Sequence, residues 1–201
     1  MNRSAPIPTT PSAAVDVYIG VGSNIRPESG LRAGIEALRA AFGELEVSSV
    51  YRSPAFGFDG DDFLNVVLTV RTRLDPDAVE ARLDAIENSG ALPPKMGRFA
   101  PRALDCDLLM YGGRVDARRR LPRDDVLRYP FVLGPLAQIA PQLRHPLDGR
   151  AIADHWAQRR ADARLQRICT IDELPPLPAD AASPVDGEDL SGYIGRVTSE
   201  I

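Results

Sequence analysis

Apolar residues along the chain recur with two different periods, and the changes of period divide it into elements. Positions 15–24, VDVYIGVGSN, form a mostly apolar run closed by Gly-Ser-Asn, which predicts a strand ending in a turn. Over positions 29–43 the apolar residues Leu31, Ile35, Leu38 and Phe42 fall at helical spacing, and Gly43 is placed to end that helix. Positions 45–53 (LEVSSVYRS) and 63–72 (FLNVVLTVRT) predict two strands, joined by the Gly- and Asp-rich loop 54–62. A second helix is predicted over 75–90, with Asp75 as N-cap, Pro76 as first helical residue and Gly90 as terminator. After the irregular loop 91–102, the run RALDCDLLMYGG (102–113) predicts a further strand.

The order β-α-β-β-α-β is that of the ferredoxin-like, split βαβ sandwich, an α/β (α+β) fold. Positions 129–141 and 148–163 both carry helical patterns, so additional C-terminal helices are expected to extend the sandwich. The expected organisation is a tail over 1–14, one domain over 15–170 and a flexible, Pro-rich, acidic tail over 171–201. No internal repeat is visible.

The run 102–113 poses a chemical question. Side chains alternate between faces along a strand, so Asp105 and Asp107 share one face and Cys106 takes the other. Their neighbours Leu104, Leu108, Leu109 and Met110 are apolar. Two unpaired carboxylates side by side in such surroundings cost several kcal/mol, which a counter-cation offsets. Two readings are open. In one, a carboxylate is solvated at the strand end and the other pairs with Arg102. In the other, the pair binds Mg²⁺, an ion that takes one or two carboxylates together with substrate phosphates. Lys95, Arg98 and Arg102 just before the pair, and the basic cluster RVDARRRLPR (114–123) just after it, favour the second.

Charge and composition narrow the classes. The net charge of −4 argues against a polyanion binder, and the aromatic-rich strings of RNA-binding sheets are missing. Two cysteines, Cys106 and Cys169, are too few for a disulfide framework and read as reduced thiols of a cytoplasmic protein. No apolar run approaches the roughly 18 residues of a membrane span. GVGSN (20–24) lacks the endings of a P-loop or dinucleotide fingerprint. His145 and His155 have no partner at metal-ligand spacing, and Trp156 reads as core. Phe63 and Asn65 share a strand face, an aromatic surface beside an amide that donates and accepts, a pairing suited to a flat heterocycle.

With these pieces in order, the chain resembles the 6-hydroxymethyl-7,8-dihydropterin pyrophosphokinases of folate biosynthesis. YIGVGSN, VYRSPAFG, DFLNVVL, RFAPRALDCDLLMYG and FVLGPLAQIAP carry the resemblance, and the Arg-Phe-Ala-Pro-Arg-x-x-Asp-x-Asp string is its most specific part. The resemblance implies transfer of the β,γ-pyrophosphate of ATP to the hydroxymethyl oxygen of the pterin, with AMP leaving. It implies that Asp105 and Asp107 hold two Mg²⁺ ions with ATP, and that Arg102 steadies the transferring group. Asn65 is implied to hydrogen-bond the pterin, with Phe63 and Phe131 as its aromatic contacts. Glu87, Arg98, Arg102, Arg120 and Arg123 are implied on the ATP side. A monomer with no nucleic-acid or membrane partner is expected. Loops 56–62 and 91–102 are implied to be lids. The chain departs from the pattern where Leu92 and Pro94 replace expected cations, where Arg123 replaces a histidine, and where Tyr129 replaces an arginine. A pyrophosphokinase for a different pterin, or a non-catalytic pterin- or nucleotide-binding relative, are the alternative readings.

Overall fold

The computed structural model describes residues 13–57, 59–89 and 103–176. The elements are β1 (Val15–Ser23), α1 (Pro27–Phe42), β2 (Glu46–Val47), β3 (Val50–Ser53), β4 (Phe63–Thr72), α2 (Pro76–Glu87), β5 (Asp105–Tyr111), α3 (Asp125–Arg128), α4 (Pro130–Ile139), α5 (Ile152–Arg159) and β6 (Gln166–Cys169). A short 3₁₀ turn, Ile171–Glu173, follows. The strands run in the order β5-β1-β4-β3-β6, with β2 beside β4, and every pairing is antiparallel. This is the split βαβ order, with β4 inserted between the parallel strands β1 and β3.

Alternation along β1 explains why its apolar run is nearly continuous. Val17, Ile19 and Val21 enter a core shared with Leu31, Ile35 and Leu38 of α1 and with Val79 and Leu83 of α2. Tyr18 on the opposite face joins a second core with Val67, Leu109 and Met110, closed by Val132, Leu133 and Leu136 of α4 and by Ile152 of α5. The C-terminal helices therefore cover the sheet's second face over part of its length. Helix starts follow local chemistry. The Asp75 carboxylate accepts the Ala78 N–H at 2.8 Å, and Pro76 opens α2 where its missing donor costs nothing. Gly43 ends α1 at φ 87°, a backbone region that suits glycine. Gly30 lets α1 approach closely, since a Cβ there would lie 2.3 Å from the Ala103 carbonyl oxygen.

Three sequence expectations change. The strand predicted over 45–53 is two strands, because Ser48 and Ser49 interrupt it. The register moves from Val47 opposite Leu68 to Tyr51 opposite Asn65, one residue more on this strand than on its partner. The Ser48 hydroxyl accepts the Val67 N–H at 3.0 Å and so replaces a ladder bond at the bulge. Second, β6 and α3 are additional elements, each too short, at four residues, to show a period in the sequence. Third, the domain does not stop at 170. Ile171 and Leu174 are buried in the first core. The Arg32 guanidinium donates to the carbonyls of Ile171, Asp172, Leu174 and Pro175. Among the described residues no helix is long and apolar enough to cross a membrane.

Candidate active site

Among the described residues β5 lies at one edge of the sheet and pairs only with β1. Asp105 stands opposite Gly22 and Asp107 opposite Gly20. Between them Cys106 stands opposite Val21, and both are buried in the α1–α2 core. The two carboxylates therefore share the other face, as alternation requires. On β1 that face carries only glycine beside them, which leaves room for the Leu109 side chain over Gly20 and for the Asn65 amide beside Gly22. The next strand continues the rows: Asn65 is opposite Gly22 and Val67 opposite Gly20. The row through Gly22 is thus an acidic edge, a glycine and the Asn65 amide, while the row through Gly20 is covered by Leu109.

Gly22 keeps its row open. A Cβ there would lie 3.2 Å from Asn65 Oδ1 and 3.7 Å from a Phe63 ring carbon. Asn65 is 6% exposed, so its amide needs partners. Its Nδ2 donates to the Ser53 hydroxyl at 3.0 Å, which fixes the amide plane. Phe63, two residues before, is half-buried on the same face. Ser53 is a positioning partner that the sequence reading did not single out. Its signal was present, since Ser53 closes the strand that pairs with the start of β4.

Glu87 ends α2, and its Oε1 accepts the Cys106 N–H at 2.6 Å. That donor lies between the two aspartates on the side of β5 away from β1. Glu87 is thus brought beside the carboxylate pair, where it fixes the backbone that presents them.

Arg123 reaches the pair from the segment before α3. Its Nη1 lies 3.1 Å from Asp107 Oδ1, and its Nε donates to Asp125 Oδ2 at 2.9 Å. Burial works against the guanidinium charge, but Asp107, Asp125 and Asp105 outweigh it and raise its pKa. Arg120 is exposed in the preceding turn at φ 55°. Its neighbour Arg119 is half-buried and donates to Asp77 at 2.7 Å, tying that turn to α2. Arg98 and Arg102, like Leu92 and Pro94, lie outside the described residues.

Phe131 sits in the first turn of α4, half-buried beside the second core. Tyr129, just before it, stacks on it with ring centroids 5.0 Å apart and planes 10° from parallel. Phe56, from the loop between β3 and β4, meets Tyr129 edge-on at 4.9 Å. The residue standing where an arginine was expected is therefore the middle ring of an aromatic row.

The donor set suits a hard, oxygen-seeking cation. Among the described residues no group of three or more His, Cys, Asp or Glu is arranged to hold a metal ion. The aspartate pair is thus too small for an all-protein cage and matches the habit of Mg²⁺, which completes its shell with substrate phosphates and water. A separate open depression of about 430 Å³, lined by Pro27, Glu28, Arg52, Asp61, Asp62 and Leu64, lies at the start of α1 and includes neither aspartate. The two histidines meet at another carboxylate, Asp148. His155 Nε2 lies 3.0 Å from Asp148, and His145 Nδ1 lies 3.7 Å from the same carboxylate.

Comparison with known proteins identifies the family and the fold. A family model described as 7,8-dihydro-6-hydroxymethylpterin-pyrophosphokinase matches residues 18–141. The chain is 37% identical over 163 residues to the 2-amino-4-hydroxy-6-hydroxymethyldihydropteridine pyrophosphokinase of Synechocystis sp., covering 74% of this chain and 79% of that protein. It is 33% identical over 144 residues to the protein of the same name from Pseudomonas aeruginosa, covering 69% and 88%. Among solved structures it is similar in fold to wild-type HPPK-DHPS of Plasmodium falciparum, with a TM-score of 0.58 at 11% identity over 77% of this chain. It spans about half of that longer protein, 48% of its length.

Proposed function

Since the chain belongs to the 7,8-dihydro-6-hydroxymethylpterin-pyrophosphokinase family, we propose that it transfers pyrophosphate from ATP to 6-hydroxymethyl-7,8-dihydropterin, a step of folate biosynthesis. The pterin hydroxymethyl oxygen forms a bond to the β-phosphorus of ATP. The bond from that phosphorus to the α,β-bridging oxygen breaks, and its electron pair leaves with AMP. The hydroxyl proton passes to solvent or to a nearby base.

The observation that carries this reading is the single row Asp105–Gly22–Asn65 across three strands. It joins a cation-binding edge to a heterocycle-binding amide across a single glycine, Gly22, which adds no side chain of its own between them. Asn65 hydrogen-bonds the pterin edge, held in orientation by Ser53. Phe131 and Phe63 supply apolar ring contacts. Asp105 and Asp107 would hold the Mg²⁺ ions that accompany ATP, and ions bound there would supply neutralisation of charge developing on the phosphate oxygens. Glu87 keeps the strand carrying both carboxylates in place through the Cys106 N–H. Arg123 offsets the negative charge around Asp107 and lies within reach of a phosphate group brought to it. Arg120 is exposed and able to follow the polyphosphate tail.

The test is incubation of the full chain with ATP, Mg²⁺ and 6-hydroxymethyl-7,8-dihydropterin, followed by separation of the nucleotides. The expected result is AMP formed in step with pterin pyrophosphate, and none when the pterin is omitted. ADP in place of AMP, or no turnover by folded protein, overturns the reading.

A further inference from the structure

The row Phe56–Tyr129–Phe131 has a geometry that assigns Tyr129 a task of its own. Its backbone is fixed from both sides. Its N–H donates to the Asp125 carbonyl at 3.0 Å, and its own carbonyl accepts the Val132 and Leu133 N–H groups at 3.0 and 2.9 Å. Pro130 follows and holds Tyr129 to the extended backbone observed, φ −110° and ψ 125°. The ring is thus delivered to one place, at the junction of α3 and α4. There it lies nearly parallel to Phe131, at an offset-stacking distance.

A flat heterocycle does not fit between these two rings. Inserting one would need about twice the ~3.5–4.0 Å contact distance between stacked carbons, and the centroids are only 5.0 Å apart. A substrate ring that stacks on Phe131 therefore uses the face turned away from Tyr129. Tyr129 backs the ring against which the substrate lies. It also reaches the loop between β3 and β4 through Phe56, a residue 49% exposed that gains a fixed neighbour there.

We infer that Tyr129 is a positioning residue for the pterin: it holds the Phe131 ring at its stacking angle and ties the Phe56 loop to the same spot. This rests on the proposed pterin role of Phe131. It moves Tyr129 from the phosphate side, where an arginine was expected, to the heterocycle side of the site.

Steady-state kinetics separate the possibilities, with pterin varied at saturating Mg²⁺-ATP and then ATP varied at saturating pterin. An aromatic pair is worth about a two- to tenfold change in an equilibrium constant. Tyr129→Leu, which keeps apolar bulk and removes the ring face, is expected to raise the pterin KM by that factor and leave the ATP KM within twofold. Tyr129→Phe restores the wild-type pterin KM. Phe56→Ala combined with Tyr129→Leu is no worse than Tyr129→Leu alone, because both break one chain of contacts. A rise in ATP KM with unchanged pterin KM overturns the inference, and so does an unchanged pterin KM in Tyr129→Leu when Phe131→Ala raises it. If Phe131→Ala itself leaves the pterin KM unchanged, the stacking role of Phe131 fails first and the inference falls with it. Circular dichroism and a thermal melt of each variant confirm that folded enzyme is compared.

Discussion

The Arg123 guanidinium sits 3.1 Å from the Asp107 carboxylate, so the acidic pair already has a cation of the chain's own beside it. Both side chains are partly exposed, and an ion pair of that kind contributes at most about 1 kcal/mol to stability. Its weight lies in charge balance where a polyphosphate is to be bound.

That balance gives the first prediction. Asp107→Asn keeps the size of the side chain and removes its charge. AMP release should fall about a hundredfold or more, as expected when several kcal/mol of metal-based charge stabilisation is lost. The melting temperature should move only slightly. Asp105→Asn should behave in the same way. Quenched-flow or chromatographic assay of AMP decides the matter, and near wild-type turnover in either variant removes the metal role.

The amide floor gives the second. Asn65→Ala should weaken pterin binding by about 1–3 kcal/mol, the cost of leaving buried polar groups of the ligand without partners. ATP binding should stay the same. Ser53→Ala should act in the same direction by a smaller amount, since the Asn65 amide loses its 3.0 Å anchor but remains in place. Isothermal titration calorimetry with each ligand separately reads both effects.

Close packing gives the third. Gly30→Ala would place a methyl group 2.3 Å from the Ala103 oxygen and 2.5 Å from Ser23 Oγ. Those two groups are themselves joined by a 2.6 Å hydrogen bond, so α1 must shift. Overpacking of this kind costs about 1–3 kcal/mol. Gly113→Ala, with nothing within 4 Å of the new atom, should change stability by no more than about 0.5 kcal/mol. Urea midpoints of the two variants provide the comparison.

The histidine pair gives a pH prediction. Burial lowers the His145 pKa; the nearby Asp148 opposes this and His155 adds to it. A histidine with a depressed folded pKa is bound less tightly to its proton when folded than when unfolded. The stability it allows is therefore fully present above the unfolded value of about 6.5 and is lost as pH falls from there through the folded pKa. Asp148 is lowered as well: burial opposes this, but the Arg150 N–H and the two histidines outweigh it, so its contribution disappears at still lower pH. Unfolding midpoints measured from pH 7.5 to pH 5 should decline for the wild type and decline less for His145→Gln. Equal slopes would show that His145 does not control acid stability.

Much of the fold was legible because its signals are local. Asp75 with Pro76, the helical spacing of Leu31, Ile35 and Leu38, and the alternation through Asp105, Cys106 and Asp107 each depend on neighbours in sequence. The aspartates' shared face was therefore readable before any coordinates. What escaped depends on partners far along the chain. β6 is mostly exposed and exists because it pairs with β3 across more than a hundred positions, as in Val50 opposite Cys169. The split at Ser48 needs the Val67 N–H to be seen. Ser53 and Tyr129 gain their significance only when Asn65 and Phe131 are brought against them.

The grip of Arg32 on the carbonyls between Ile171 and Pro175 spans up to 143 positions. Helix α1 emerges early during synthesis, but the segment that completes its side of the core, Ile171 to Pro175, follows Arg32 by up to 143 positions. Until then the places of Ile171 and Leu174 stand open, and Arg32 has nothing to hold. The growing chain can pair β1, β4 and β5 and still lack this fastening. The last described turn thus works as a closing latch, and a ribosome-bound chain stopped before residue 171 should be cut by protease near α1 where the released protein resists.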